Sequence, residues 1–460
     1  VSPWSYDIQR AAGGISPGRI VGAKEAEPMR HDRIDASLFV NNRARLAAKL
    51  GQGALAVVGA NDVLPTNADG SLIIVPNSDL FYLSGIEQEE SILVVFPSAH
   101  DPLLREVLFI REPNELLKIW EGHKLSKDEA RAISGIRTIK WISDFPKTFH
   151  AMMCEADEAW LNENAHPRAV VESQTRDARF VAECKGRFPL HTYRRLAKLM
   201  HELRVVKQPH EIELLKRAVA VTRSGFERVC RMVRPGVYEH EVEAEFAHEF
   251  IKNRCKFAYN PIIAGGANSC VLHYNENDQP LRDGELLLID VGANYANYNA
   301  DLTRTIPVSG RFTPRQRQVY DAVLRVMQQS IKNATVGKLH RDWVLEAKAL
   351  MNEELLGLGL IKKEDIEKET PEEYAGRKYF MHGLGHVLGL DVHDVGPMSR
   401  PFSAGWVLTV EPGIYIPEEG FGVRIENDIL VTENGPVDLM ADIPADAAQI
   451  EDLVLSGRSS

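Results

Sequence analysis

Leu286-Leu287-Leu288-Ile289-Asp290-Val291-Gly292, followed by Ala300-Asp301-Leu302-Thr303-Arg304-Thr305-Ile306, is the stretch on which the fold turns. Each piece reads as an apolar strand carrying one acid, and Asn294, Asn297 and Asn299 between them supply turn chemistry. A hairpin centred near Tyr295-Ala296 puts Asp290 directly opposite Asp301 on one face. Cβ atoms so paired lie ~4.5–5.5 Å apart, and like charges there repel. A cation is therefore expected between them. Standing alone, the two acids would equally suit a turn aspartate and a strand-end residue.

They do not stand alone. Val407-Leu408-Thr409-Val410-Glu411-Pro412 again runs an apolar strand into an acid, and Gly422-Val423-Arg424-Ile425-Glu426 does so once more. Arg424 and Glu426, two apart, share a strand face. A buried carboxylate without a partner costs on the order of several kcal/mol, so four of them call for neutralisation. Imidazole is at hand in His382-Gly383-Leu384-Gly385-His386 and, a little further on, His393-Asp394. His382 and His386 have the spacing of a zinc-protease helix, but Gly383 replaces the catalytic glutamate of that motif. Gly383, Gly385 and Gly389 also argue against a regular helix. One imidazole with four carboxylates is a hard, oxygen-rich set. It suits two divalent ions of the manganese or cobalt type, with zinc as an alternative and no thiolate required. Such ions lie ~3.5–4 Å apart, acidify a shared water and polarise a carbonyl, so the pattern indicates metal-assisted hydrolysis.

The rest of the chain is consistent with a globular enzyme. At 460 residues it exceeds what one core holds, so two domains are expected. A formal charge of −11 disfavours nucleic acid and anionic membrane as partners. No apolar run approaches the ~18 residues of a spanning helix. Val1-Ser2-Pro3-Trp4 lacks the apolar region of a signal peptide, and five scattered cysteines without a CxxC read as reduced thiols. A cytoplasmic location is the resulting expectation.

Residues 1–34 read as an N-terminal arm. Residues 35–180 read as a small α/β domain, with helices at 35–50 and 127–133 and strands at 54–58, 72–75, 92–96, 107–110 and 138–142. The charged stretch 174–189 marks a boundary. Residues 190–455 then form an α+β domain. Its expected helices cover 190–203, 209–233, 239–253 and, from the Thr313-Pro314-Arg315-Gln316 capping box, 313–333. Its expected strands cover 285–291, 300–308, 406–411 and 422–431.

These motifs resemble the pita-bread metallopeptidases, in the aminopeptidase P/prolidase branch. The resemblance rests on Ile289–Gly292, Ala300–Thr305, HGLGHVLGLDVHDVG at 382–396, LTVEPGIYI at 408–416 and GVRIENDILVT at 422–432, in family order through the C-terminal half. A looser match covers PNSDLFYLSG at 76–85 and Trp120-Glu121-Gly122, which resemble the family's accessory domain. The resemblance implies a C-terminal pita-bread catalytic domain preceded by a smaller α/β accessory domain. It implies Asp290 on one metal ion, His386 and Glu411 on the other, and Asp301 and Glu426 bridging both. It assigns His273, His382 and His393 to the substrate side, Arg424 to the support of the site, and Tyr259 and Tyr415 to positions just outside the ligands.

The implied activity is release of the N-terminal residue from peptides with proline second. Prolidase action on Xaa-Pro dipeptides is the close alternative. A metal-free creatinase-like hydrolase and a non-catalytic binding module of the same fold are more distant ones, and the unbroken ligand set speaks against both. Proline-containing peptides are the expected partners, and a homodimer or homotetramer the expected assembly.

Overall fold

The computed structural model describes residues 31–457 except 69, 164, 167, 169–171 and 371–372. The expected arm lies, up to residue 30, outside the described residues.

The N-terminal half is built on a six-stranded sheet, in the order Thr138–Trp141, Glu106–Ile110, Ile92–Val95, Ala54–Gly59, Glu158–Leu161 and Thr192–Arg195. Its central ladders are antiparallel and its outer ones parallel. Asp35 caps the helix Ala36–Ala47 by accepting from the Ser37 amide. Leu38, Phe39 and Leu46 on that helix pack with Phe81 and Leu83 of the helix Ser78–Ser84 over one face of the sheet.

Three expectations fail here. Residues 72–75 are not a strand: Ile73 is 85% exposed, and among the described residues no sheet edge pairs with the segment. The expected boundary at 174–189 instead holds the helix Arg176–Arg187, started by a Thr175 cap, and the strand Thr192–Arg195 beyond it still belongs to the N-terminal sheet. Residues 190–203 split into the strand Thr192–Arg195 and the helix Ala197–Arg204, because parallel pairing with Glu158–Leu161 claims the first part.

In the C-terminal half, long helices surround small antiparallel sheets. The helix Pro209–Met232 buries Leu215, Ala218, Val219, Thr222, Phe226, Val229 and Cys230, one face at helical spacing. Full burial of a side chain such as Phe226 contributes roughly 1.5–3 kcal/mol. The helices Glu239–Lys252, Pro314–Asn333, His340–Gly357 and Ala447–Ser456 add Phe246, Val323, Trp343 and Ile450 to the same core. Leu286–Val291 is the middle strand of a sheet, between Ile262–Gly265 and Leu302–Pro307.

The expected strand at 422–431 is two strands in two sheets. Phe421–Arg424 pairs with Gly413–Ile416, and Asn427–Leu430 pairs with Val407–Val410. The break falls at Ile425-Glu426, where Glu426 forms an isolated bridge with Thr303. That bridge draws the separate sheets around one point.

Candidate metal centre

The acid-bearing hairpin turns at Ala296-Asn297, both with positive φ (50° and 68°), as a two-residue left-handed turn demands. This shifts the register from the one expected. Asp290 lies opposite Thr303, not Asp301. The parity of the strands is unchanged, so Asp290 and Asp301 are diagonal neighbours on one face. At Gly292 a Cβ would sit 1.7 Å from the Ala300 carbonyl oxygen, so only glycine lets the two chains cross so closely. Tyr259 Oη stands 2.6 Å from Asp290 Oδ1 and 2.5 Å from Asp301 Oδ1. Burial and the two carboxylates hold its phenol well above the usual range, so it stays protonated and donates.

The histidine run is irregular, not helical. Gly385 lies against the strand Val407–Val410, where a Cβ would come within 2.0 Å of the Thr409 carbonyl oxygen. The His386 amide donates to Thr409 Oγ1, and the Glu411 amide donates to the Leu384 carbonyl. His386 is thereby fixed beside Glu411. His386 Nδ1 lies 3.1 Å from the Val387 carbonyl, which places a proton on Nδ1 and turns Nε2 toward the acids. Nε2 is 3.5 Å from Asp301 Oδ2 and 3.8 Å from Glu411 Oε1. One donor atom each from Asp301, His386 and Glu426 falls within a 4.8 Å group able to hold a metal ion.

Electrostatics mark the same place. Burial, followed by the neighbouring carboxylates, drives Glu426 well above the usual range. Burial likewise pushes Glu411 up to about 7, against the lowering influence of His386 and Arg424. Asp301 is raised by burial, offset in part by its hydrogen bond to His386. Burial pulls the His386 imidazole down, but Asp301 and Glu411 outweigh it and leave the group raised. Carboxylates in this condition lack positive charge, and Arg424 gives its hydrogen bonds to other partners. Its Nη2 donates to Asp290 Oδ2 at 2.5 Å, Nη1 to Tyr415 Oη at 2.8 Å and Nε to Thr303 Oγ1 at 3.2 Å. The expected face shared by Arg424 and Glu426 is thus used otherwise: Arg424 turns to Asp290.

His382 is apart from His386 despite the four-residue spacing, with Nε2 2.8 Å from Tyr415 Oη. Burial and the charge of Arg424 lower it to about 4, so it is neutral. His393 lies beside His386 with ring centroids 4.1 Å apart and planes tilted by 52°, and burial with the adjacent His386 pulls it to about 3. Arg168 Nη1 lies 2.7 Å from His393 Nδ1. His273 sits on an exposed loop, near enough to influence both His382 and His393.

Sequence reasoning missed Thr303, whose Oγ1 donates to Glu426 Oε2, although strand alternation two residues after Asp301 signals it. It also missed Arg168 and Arg204, for which no local signal exists.

A model of Metallopeptidase family M24 matches residues 213–433, and one of the aminopeptidase P N-terminal domain matches residues 39–160. The Xaa-Pro aminopeptidase of Escherichia coli is 35% identical over 92% of this chain and 99% of its own length. Human Xaa-Pro aminopeptidase 3 is 32% identical over 98% and 89%. An E. coli aminopeptidase P variant solved in complex with substrate superposes with a TM-score of 0.83 at 33% identity, covering 93% of this chain and all (100%) of the other. A zinc-substituted form of that enzyme, with product, gives the same score.

The chain belongs to the M24 metallopeptidases. Within that family, relatives 32–35% identical to it across nearly the whole length are named Xaa-Pro aminopeptidases, and it shares their fold: an accessory domain followed by a pita-bread domain.

Proposed function

We propose that the chain is a metal-dependent peptide hydrolase removing the first residue from peptides with proline in second place. The observation that carries this is the convergence of Asp301, His386 and Glu426 within one 4.8 Å donor group, in a chain similar to Xaa-Pro aminopeptidases over most of its length. Asp290, Asp301, His386, Glu411 and Glu426 hold two divalent ions in this reading, manganese first, with cobalt or zinc as alternatives. The hardness of four carboxylates and one imidazole supports that choice, as does the raised state of the buried acids. Bound there, the ions supply Lewis acidity and an acidified water.

The remaining work falls to side chains. Glu411 takes up the proton of the attacking water and passes it towards the departing proline nitrogen. The scissile amide is tertiary, with no N–H of its own, so this nitrogen must gain a proton to leave. Arg168 donates to His393 Nδ1, which leaves the His393 proton on Nε2, ready for the carbonyl oxygen. His273 assists from the exposed loop, while Tyr259, Tyr415 and His382 keep the surrounding groups in place.

Assembly as a homodimer or homotetramer belongs to the same reading. The exposed Leu64, Leu72, Ile73 and Val75 support it, being an apolar run in want of cover. Work in the cytoplasm also belongs to it, supported by five unpaired cysteines. The test is hydrolysis of a peptide pair differing only in proline or alanine at position two, before and after chelation. Release of the first residue from the proline peptide alone, lost with the metal and restored by manganese, is expected. Equal cleavage of both peptides, or full activity after thorough chelation, would refute the assignment.

A further inference from the structure

Arg204, at the end of the helix Ala197–Arg204, is 4% exposed yet meets three carboxylates. Nη1 donates to Asp79 Oδ1 at 2.8 Å, while Nη2 donates to Asp391 Oδ2 at 2.7 Å and Asp394 Oδ1 at 2.5 Å. Lys207 Nζ adds a bond of 2.9 Å to Asp394 Oδ2, with both side chains 1% exposed. Asp79 belongs to the helix Ser78–Ser84 of the N-terminal half, and its neighbour Ser78 donates to Asp391 Oδ1 at 2.7 Å. Asp391 and Asp394 stand on either side of His393 in the chain.

Residues 388–397 lie in no helix or strand; backbone bonds tie Leu388 to Val407, Gly389 to Asn299 and Asp394 to Val387, and between those anchors the His393 ring depends on side-chain contacts. Buried ion pairs rarely stabilise a protein better than apolar packing would, and their best-attested use is to specify one arrangement. Here the arrangement specified is that of the His393 segment. Asp79, Arg204, Asp391 and His393 all line one cavity of 810 Å³ between the two halves.

We propose that Arg204 is a positioning residue: gripping Asp79 on one side and Asp391 and Asp394 on the other, it sets the His393 imidazole from the N-terminal half. The accessory domain thereby has a share in catalysis that needs no substrate contact. This rests on the reading of His393 as the donor to the scissile carbonyl.

The experiment is a pair of double-mutant cycles on the full-length, manganese-loaded protein. Arg204→Met and Asp79→Asn are each made alone and together with His393→Ala, with kcat, KM and bound metal measured. A displaced catalytic group costs up to ~100-fold in rate. Arg204→Met is expected to lower kcat on that scale with KM and metal content near the parent values. Asp79→Asn, the milder change should Arg204→Met fail to fold, is expected to lower it less. In the His393→Ala background neither should add a further loss, since groups acting through one another are not additive. Losses that multiply fully with that of His393→Ala would overturn the positioning role alone. A normal kcat for His393→Ala by itself would overturn the reading of His393, and this proposal with it.

Discussion

Thr303 Oγ1 donates to Glu426 Oε2 at 2.7 Å across 123 residues of chain, and it also accepts from Arg424 Nε. One buried hydroxyl thus joins the first acid-bearing sheet to the last. Thr303→Val keeps the shape and removes the hydroxyl. We expect a stability loss of ~1–3 kcal/mol from the unpaired partners and a metal affinity lower by roughly 10–100-fold. Metal titration with a coloured chelator measures the second effect, and unchanged affinity would show the contact to be incidental.

Gly292→Ala drives a methyl group into the Ala300 carbonyl, where backbone must move to make room. Overpacking of this kind costs roughly 1–3 kcal/mol or more. Because Asp290 and Asp301 flank the crossing, the variant should lose bound metal as well as thermal stability. A variant that melts earlier but retains full metal content would separate the hairpin from the site.

Acidity shapes the metal-free protein. Glu411 moves from its ordinary 4.5 to about 7 on burial, and Asp301 and Glu426 are raised too. Between those values the folded chain holds more protons than the unfolded one, so stability falls as pH rises from 4.5 through 7. The melting temperature of chelated protein should drop across that window. Metal-loaded protein should show a much flatter profile, because the ions displace the protons. A chelated form whose melting temperature rises with pH would contradict the burial of these acids.

Aminopeptidase and prolidase action diverge just beyond the proline ring. A dipeptide ends there in a carboxylate that needs a lasting cationic partner. Arg424 is committed to Asp290 and Tyr415, and Arg168 to His393. We therefore expect a tripeptide Xaa-Pro-Yaa to show higher kcat/KM than the matching dipeptide. Steady-state rates on the two substrates decide the matter, a clear dipeptide preference making the chain a prolidase.

Much of the site is legible in the sequence because strands alternate. An acid inside an apolar run is conspicuous, and parity alone places Asp290 and Asp301 on one face. Register is less legible. Ala296-Asn297 carries no glycine, so its left-handed turn cannot be told from a turn one residue earlier. The apolar residues 72–75 have strand character but no edge to join among the described residues, and the lack of an edge is a tertiary fact. The helix His340–Gly357 went unread, although Trp343, Ala347, Met351 and Leu355 at four-residue intervals signal it. Arg168 and Arg204 reach His393 and its flanking acids from 225 and 187–190 residues away, which no local pattern can announce.

The bridge between Thr303 and Glu426 also has a meaning in time. During synthesis, Asp290 and Asp301 leave the ribosome long before Glu426 exists to face them. Contacts so distant in sequence form late, after loop closure has been achieved. A nascent chain therefore carries exposed acids but no finished cage, and the site closes only once Glu426 has been made.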